Sequence, residues 1–152
     1  MRVETLERSL LLPRPREEVF AFFAQPRNLE RITPPWLAFR ILEGGPKEMA
    51  AAAKIRYRLR LRGIPLRWTS LIEAWEPPRR FVDRQLRGPY RLWVHEHLFE
   101  EAAGGTRVID RIRFAVPGGA LLSRWLVRPD LERIFDYRHE TIAAIMGGEG
   151  VS

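Results

Sequence analysis

Cysteine is absent from the 152 residues, and no apolar run approaches the roughly 20 residues that a membrane-spanning helix needs. The first absence excludes disulfides, zinc–thiolate sites and thiol nucleophiles. The second, together with a first segment that is too charged for a secretory signal peptide, predicts no integral membrane association. We therefore expect a cytoplasmic protein.

Common enzyme and nucleic-acid-binding motifs are also missing. The chain contains no GxSxG, no dinucleotide-binding GxGxxG, no P-loop and no HExxH. It lacks zinc-finger spacing, a recognisable helix-turn-helix and the aromatic pattern of RNA-binding sheets. We expect no cofactor and no nucleic-acid partner, and these residues leave the oligomeric state open.

Lysine is scarce, so the formal net charge of +7 is carried almost entirely by arginine. Arg56, Arg58 and Arg60 alternate with apolar residues, as expected for the solvated face of a half-buried strand. Association of this basic surface with an anionic membrane or nucleic acid is an alternative that predicts strong salt dependence.

Hydrophobic periodicity predicts an α+β fold in which most of the strands are consecutive. A first strand, residues 2–12, precedes two short helices around Val19–Phe23 and Leu29–Ile32. Turn residues then separate about six strands, which implies an antiparallel meander. The predicted ranges are 36–43, 54–61, 66–75, 81–87, 92–101 and 106–116.

The last segment, residues 121–146, has apolar residues at the spacing of one helix face and contains Pro129. Such a stripe needs a partner surface, which the concave side of a curved sheet would supply. We expect one ligand-binding domain over residues 1–146, a flexible tail over residues 147–152, and room for a guest molecule between sheet and helix.

An imidazole and a carboxylate are predicted to share this concave face. A hairpin centred between Ala103 and Gly104 places His97 across from Asp110, and His95 across from Ile112. The pair has three possible roles: a satisfied polar pair in the core, polar contacts for a ligand, or catalytic or metal-binding groups completed by a third residue such as His139. Without a third ligand we predict no metal.

Other residues are candidates for the wall of a cavity. Arg138 falls on the inner side of the last helix, where a guanidinium must find an acidic side chain or an anionic ligand group. Asp83 and Gln85 share a strand face with Phe81, and we favour that face as the inner one, although a solvated edge is equally consistent. Ile112, which shares the inner face of its strand with Asp110, is a further candidate contact. The large rings that could line the space are Trp36, Tyr57, Trp68, Phe81, Trp93 and Phe135.

These stretches together resemble the SRPBCC superfamily, whose members include START lipid-transfer domains, pollen-allergen-like proteins and polyketide cyclases. The resemblance spans residues 2–146. It rests on Pro13-Arg14-Pro15, Val19-Phe20, Phe22-Phe23, Asn28-Leu29-Glu30, Ile32 to Trp36, Trp75 to Pro78, Phe81-Val82-Asp83, Gly88-Pro89-Tyr90, Trp93, His95, His97, Phe99, Gly105-Thr106, Asp110, Pro117 and Ile134 to Arg138.

The resemblance implies a helix-grip fold: a curved antiparallel sheet of about seven strands wrapped around a long C-terminal helix, with an elongated cavity between them. It implies binding of a hydrophobic or aromatic small molecule, such as a lipid or polyketide, by a carrier or sensor. The alternative is an enzyme of the cyclase or dehydratase type, in which Asp110 would orient His97 as general base. One fold carries both functions, so no catalytic residue is assigned on the resemblance alone.

Overall fold

The computed structural model describes residues 1–42 and 45–147, together with the backbone of residues 149–150. A sheet lies against one long helix and two short ones. The elements are β1 (Glu4–Leu12), α1 (Arg16–Phe23), α2 (Pro26–Ile32), β2 (Arg40–Ile41), β3 (Lys54–Leu61), β4 (Ile64–Glu76), β5 (Arg80–Arg87), β6 (Leu92–Ala102), β7 (Gly105–Ala115), α3 (Gly119–Leu122), α4 (Arg128–Met146) and β8 (Glu149–Gly150).

The strands form one antiparallel sheet, in the order β2-β3-β4-β5-β6-β7-β1-β8 over the described residues. Hairpin turns connect β3 through β7, and β7 returns alongside the first strand from Glu4↔Phe114 to Leu12↔Thr106. Two register irregularities in the β4–β5 pair, one with an extra residue on β5 and one with an extra residue on β4, allow both strands to bend, as bulges do. The predicted helix-grip fold of about seven strands is confirmed. The sheet has eight strands in the described residues, but β2 and β8 contain only two residues each.

The second strand is much shorter than predicted. Residues 36–43 were expected to be extended, but Pro35–Leu37 forms a 3₁₀ turn and Ala38 adopts a left-handed conformation with φ 46°. The consecutive prolines before Trp36 fix the backbone for a turn, so pairing starts only at Arg40. Residue 43, the last of the predicted strand, and residue 44, the first of the predicted turn, lie outside the described residues.

The C-terminal helix is interrupted near Pro129. One π-helical turn over Ser123–Val127 separates α3 from α4, so Pro129 stands at the start of α4, where its missing N–H is tolerated. The predicted apolar stripe holds only from Leu131 onward: Leu121 and Trp125 are 73% and 71% exposed. Residues 148, 151 and 152 of the predicted tail lie outside the described residues, whereas the backbone of 149–150 pairs with β1.

Two apolar clusters pack between the sheet and α4. One, here the α1-side cluster, contains Phe20, Phe81, Phe99, Ile142 and Met146 among others. The second, here the Trp-side cluster, comprises Leu6, Leu59, Trp68, Trp93, Ile112, Phe114, Leu131 and Phe135. Each fully buried large side chain contributes about 1.5–3 kcal/mol, so these contacts dominate the attachment of α4.

Polar residues of the strands and of α4 form a layer between the two apolar clusters. Along β6, for example, His95 and His97 separate Trp93 from Phe99, and along β7 Asp110 separates Ile112 from Val108. We call this level the polar band: it consists of Tyr57, Ser70, Asp83, His95, His97, Asp110, Arg138 and His139. The sheet and α4 therefore face each other across a polar layer with an apolar cluster on either side.

Candidate functional site

A cavity of about 150 Å³ lies between the sheet and α4, and part of the polar band lines it. Aromatic and aliphatic side chains supply most of the wall. Polar groups enter it at a few points. The lining residues are Leu29, Thr33, Leu37, Phe39, Met49, Ile55, Tyr57, Leu59, Leu61, Trp68, Ser70, Ile72, Phe81, Asp83, Tyr90, Trp93, His95, His97, Leu131, Ile134, Phe135 and Arg138.

Most of the sequence-predicted ligand-binding residues belong to this wall. Those that line the cavity are Tyr57, Trp68, Phe81, Trp93, His95, His97, Phe135 and Arg138. Three do not line it: Trp36 is 46% exposed and lies against Tyr137, Ile112 is fully buried in the Trp-side cluster, and Asp110 lies behind His95.

The strand register around His97 is as predicted, but its hydrogen-bond partner is not. His97 lies across from Asp110 on β7, yet its Nε2 is 2.7 Å from Asp83 Oδ2, while its Nδ1 is 3.7 Å from Asp110 Oδ1. The His97 ring stacks on Phe81, with centroids 4.0 Å apart, and that contact directs Nε2 toward the diagonal carboxylate of β5. His97 and Asp110 are therefore neighbours, as predicted, but they share no hydrogen bond.

Asp110 instead joins β6 to α4. His95 Nε2 lies 2.7 Å from Oδ1 and His139 Nε2 lies 2.9 Å from Oδ2, and all three side chains are more than nine-tenths buried. Burial alone would raise the pKa of Asp110, but the hydrogen bonds from the two imidazoles and the nearby positive charge of Arg138 hold it well below its ordinary value. Ionised Asp110 is thus an acceptor only, and both imidazoles donate to it.

In the hydrogen bond between Asp83 and His97, the proton lies on the imidazole of His97. Although burial acts to raise it, the pKa of Asp83 is lowered by the hydrogen bond from His97 and by nearby cations. Burial and the Coulombic effect of the adjacent His95 lower the pKa of His97 to about 4. At neutral pH His97 is therefore a neutral imidazole that donates from Nε2, and its buried Nδ1 has no hydrogen-bond partner among the described residues.

The composition of this cluster invites comparison with a metal site. Donor atoms of Asp83, His95 and His97 lie within 4.8 Å of one another, and two histidines with a carboxylate are a common ligand set. The two imidazoles, however, are stacked with centroids 3.7 Å apart and planes inclined by 23°. Their in-plane lone pairs do not converge on one point, so the arrangement favours a hydrogen-bond network. The absence of a metal stays a prediction.

Sequence reasoning left the inner face of β5 open, although a signal was present. A hairpin centred on Pro89 places Asp83 across from His95 and Phe81 across from His97, as the structure shows. Sequence reasoning also missed Ser70, whose Oγ accepts from Trp68 Nε1 at 3.0 Å and lies 3.3 Å from Tyr57 Oη. Gln85 does not line the cavity; it bonds to the backbone of Tyr90.

A curved antiparallel sheet that grips a long C-terminal helix around a cavity of mixed lining defines a helix-grip protein of the SRPBCC superfamily. The family model described as "Polyketide cyclase / dehydrase and lipid transport" matches residues 12–140, and the chain belongs to that family. No curated protein sequence matches the chain.

Solved structures show the same fold at low sequence identity. The Zhui aromatase/cyclase from a Streptomyces species superposes with a TM-score of 0.75 at 17% identity, covering 96% of this chain and 94% of that one. Ginseng major latex-like protein 151 from Panax ginseng gives 0.71 at 11% identity, with coverages of 95% and 97%. Protein CV1439 from Chromobacterium violaceum gives 0.74 at 12% identity, with coverages of 93% and 96%. None of the helices in the described residues is long and apolar enough to cross a bilayer.

Proposed function

We propose that this protein is a carrier or sensor that encloses a hydrophobic or aromatic small molecule between the sheet and α4. The observation that supports this most is the cavity of about 150 Å³, with its aromatic walls and few polar groups. Convergent polar groups in an apolar pocket are the usual composition of a small-molecule site. A dry cavity of similar volume is large enough for a single aromatic ring.

Membership of a family described by cyclase, dehydrase and lipid-transport activities also supports binding of an apolar molecule. The cytoplasmic location stays a prediction.

The tryptophans provide an internal test of binding. Trp68 and Trp93 line the cavity, whereas Trp36 and Trp125 are exposed at 46% and 71%. We expect toluene, added to the ¹⁵N-labelled protein, to shift the indole N–H resonances of Trp68 and Trp93 and to leave those of Trp36 and Trp125 in place. Equal shifts of all four, or none at saturating toluene, would show that the cavity binds no such molecule.

A blocking variant and its matched control strengthen that test. Ile134 on α4 lines the cavity, and Ile134→Phe adds volume to its wall. Leu86 on β5 is 44% exposed and does not line the cavity, so Leu86→Phe adds the same kind of ring elsewhere. The first variant is expected to weaken toluene binding and the second to leave it unchanged.

A second candidate function is an enzyme of the cyclase or dehydratase type. It is favoured by two imidazoles on the cavity wall that are each held by a carboxylate, His97 by Asp83 and His95 by Asp110. A carboxylate that accepts from one ring nitrogen leaves the other as a potential base. Since the free Nδ1 of His97 is buried, His95 is the better placed of the two.

Turnover separates the two functions. If the protein is a cyclase or dehydratase, His95→Gln should abolish conversion of a poly-β-carbonyl substrate while the toluene-induced shift of Trp93 persists. A variant that keeps full turnover would remove His95 from the chemistry, and wild-type protein that binds such compounds unchanged would favour the carrier.

A further inference from the structure

Arg138 is the one residue of the polar band whose charged group forms no hydrogen bond among the described residues. It lies on the inner face of α4, is 8% exposed and lines the cavity. Its guanidinium carbon lies 5.5 Å from the ring centroid of Phe135, and its Nε and Nη2 are buried without a partner. Leaving buried, charged donors unsatisfied is costly, so this arrangement calls for a missing acceptor.

The acidic side chains near Arg138 do not supply that acceptor. His97 engages Asp83 Oδ2, and Asp83 Oδ1 forms no hydrogen bond with Arg138. His95 and His139 engage the two oxygens of Asp110. Arg138 lowers the pKa of both carboxyl groups through its charge, but it forms an ion pair with neither. The described residues thus hold an inward-facing cation that the protein itself leaves without a direct partner.

The two unsatisfied donors lie on the same edge of the guanidinium. Nε–H and one N–H of Nη2 are parallel, which is the fork that a carboxylate binds through both oxygens. The chain shows this geometry elsewhere: Arg62 donates from Nε and Nη2 to the two oxygens of Asp130, at 3.0 Å each. The corresponding edge of Arg138 is buried and forms no hydrogen bond with any described residue.

We infer that the ligand of this cavity carries a carboxylate, and that the Arg138 side chain turns its buried Nε–Nη2 edge into the cavity to bind both oxygens. This inference rests on the proposed function. Asp83 also lines the cavity and is ionised, so the ligand's acid group must turn toward Arg138 and its apolar part toward the aromatic wall. The cavity volume sets the scale of the apolar part at about one ring, which indicates an arylalkanoic acid or a short-chain acid of similar bulk.

The test compares two probes of the same shape, 3-phenylpropanoate and 3-phenylpropanamide, at pH 7. Affinities are measured from the indole N–H shifts of Trp68 and Trp93. For the wild-type protein we expect the acid to bind about 10- to 100-fold more tightly than the amide, which is the range for charge-assisted hydrogen bonds.

Three variants test whether Arg138 causes this preference for the acid over the amide. Arg138→Met should abolish it, and Arg138→Lys, which keeps the charge but not the two-donor edge, should retain a smaller one. Arg133→Met is the matched control, because it removes a guanidinium from the exposed side of the same helix, where Arg133 lies over Trp36. That variant should keep the wild-type preference.

Folding of the key variant is measured separately. Arg138→Met removes two unpaired buried donors, but it also removes the positive charge that stabilises ionised Asp83 and Asp110, so its urea midpoint reports folding and does not test the carboxylate. If Arg138→Met does not fold, Arg138→Lys, which keeps the charge, provides the test, and an undiminished preference for the acid in that variant would contradict the inference.

The outcomes distinguish this inference from the proposed function. Equal wild-type affinities for acid and amide, a preference that survives Arg138→Met, or failure of the acid to bind where toluene binds would each overturn the carboxylate and leave the carrier function standing. If acid, amide and toluene all fail to shift Trp68 and Trp93, the proposed function falls, and the inference falls with it.

Discussion

Asp110→Asn is expected to lower the free energy of unfolding by about 3 kcal/mol. Asp110 is 2% exposed and accepts hydrogen bonds from His95 on β6 and His139 on α4, at 2.7 and 2.9 Å. An amide of the same shape can accept only one of these with its oxygen, and its NH₂ group then faces the other imidazole donor. A charge-assisted bond is worth about 1.5–3 kcal/mol, and a buried donor left unpaired costs about 1–3 kcal/mol more.

A loss of about 3 kcal/mol is a large part of the 5–15 kcal/mol that stabilises a typical domain. It is measured by urea unfolding at pH 7, followed by tryptophan fluorescence. Asp136→Asn is the matched control: Asp136 is 55% exposed and pairs with Arg8 at 2.7 Å on the outer side of α4. Exposed pairs contribute little, so we expect a loss below about 1 kcal/mol there.

The reasoning would be refuted if Asp110→Asn lost no more stability than Asp136→Asn. A double-variant cycle adds a second check. Because Asp110 and His139 share a bond, Asp110→Asn combined with His139→Phe should lose less stability than the sum of the two single changes. Strict additivity would mean that the bond between α4 and β7 contributes nothing.

Two further predictions concern pH and packing. Burial and the Coulombic effect of the adjacent His95 lower the pKa of His97 from 6.5 to about 4, so the unfolded chain binds a proton in this range that the folded chain does not. Stability should therefore be highest above pH 6.5 and fall toward pH 4, by about 3 kcal/mol from this group, and His97→Gln should flatten that slope; an unchanged slope would contradict the assignment. Gly105→Ala should lower the free energy of unfolding in urea by about 2–3 kcal/mol, because the new Cβ would lie 1.9 Å from the Leu12 carbonyl oxygen. Gly104→Ala is the control: its φ is +77° and no atom lies within 4 Å, so it should cost only about 1 kcal/mol. The reverse order would show that β1 moves freely away from β7.

The sequence predicted the elements whose determinants are local. Alternation over Lys54–Leu61 marked β3 at its observed bounds, and the turn at Ala103-Gly104 fixed the register that places His97 across from Asp110. The stripe from Leu131 to Met146 marked the face of α4 that is buried. Periodicity and turn residues act over a few positions, so one strand or helix carries enough information to be interpreted alone.

The elements that were predicted wrongly depend on contacts between distant parts of the chain. Leu121 and Trp125 continue the apolar spacing of α4, but a π-helical turn lies between them and Leu131, and both are exposed. Trp36 belongs to a residue type that is common in strands, yet it lies in a 3₁₀ turn and packs against Tyr137. The spacing of apolar residues does not show where a helix stops contacting the sheet, nor which side chain an aromatic ring packs against.

The sequence by itself determined the curved sheet, the terminal helix and the presence of His95, His97, Asp110 and Arg138 on their inner faces. Only the tertiary structure decided which carboxylate each imidazole meets and that Arg138 meets none. The physical reason is that strand register fixes which Cα atoms are opposite, whereas hydrogen-bond partners depend on ring stacking, sheet curvature and the placement of α4. Ring stacking, sheet curvature and the position of α4 depend in turn on the packing of the two apolar clusters, whose residues come from distant parts of the chain.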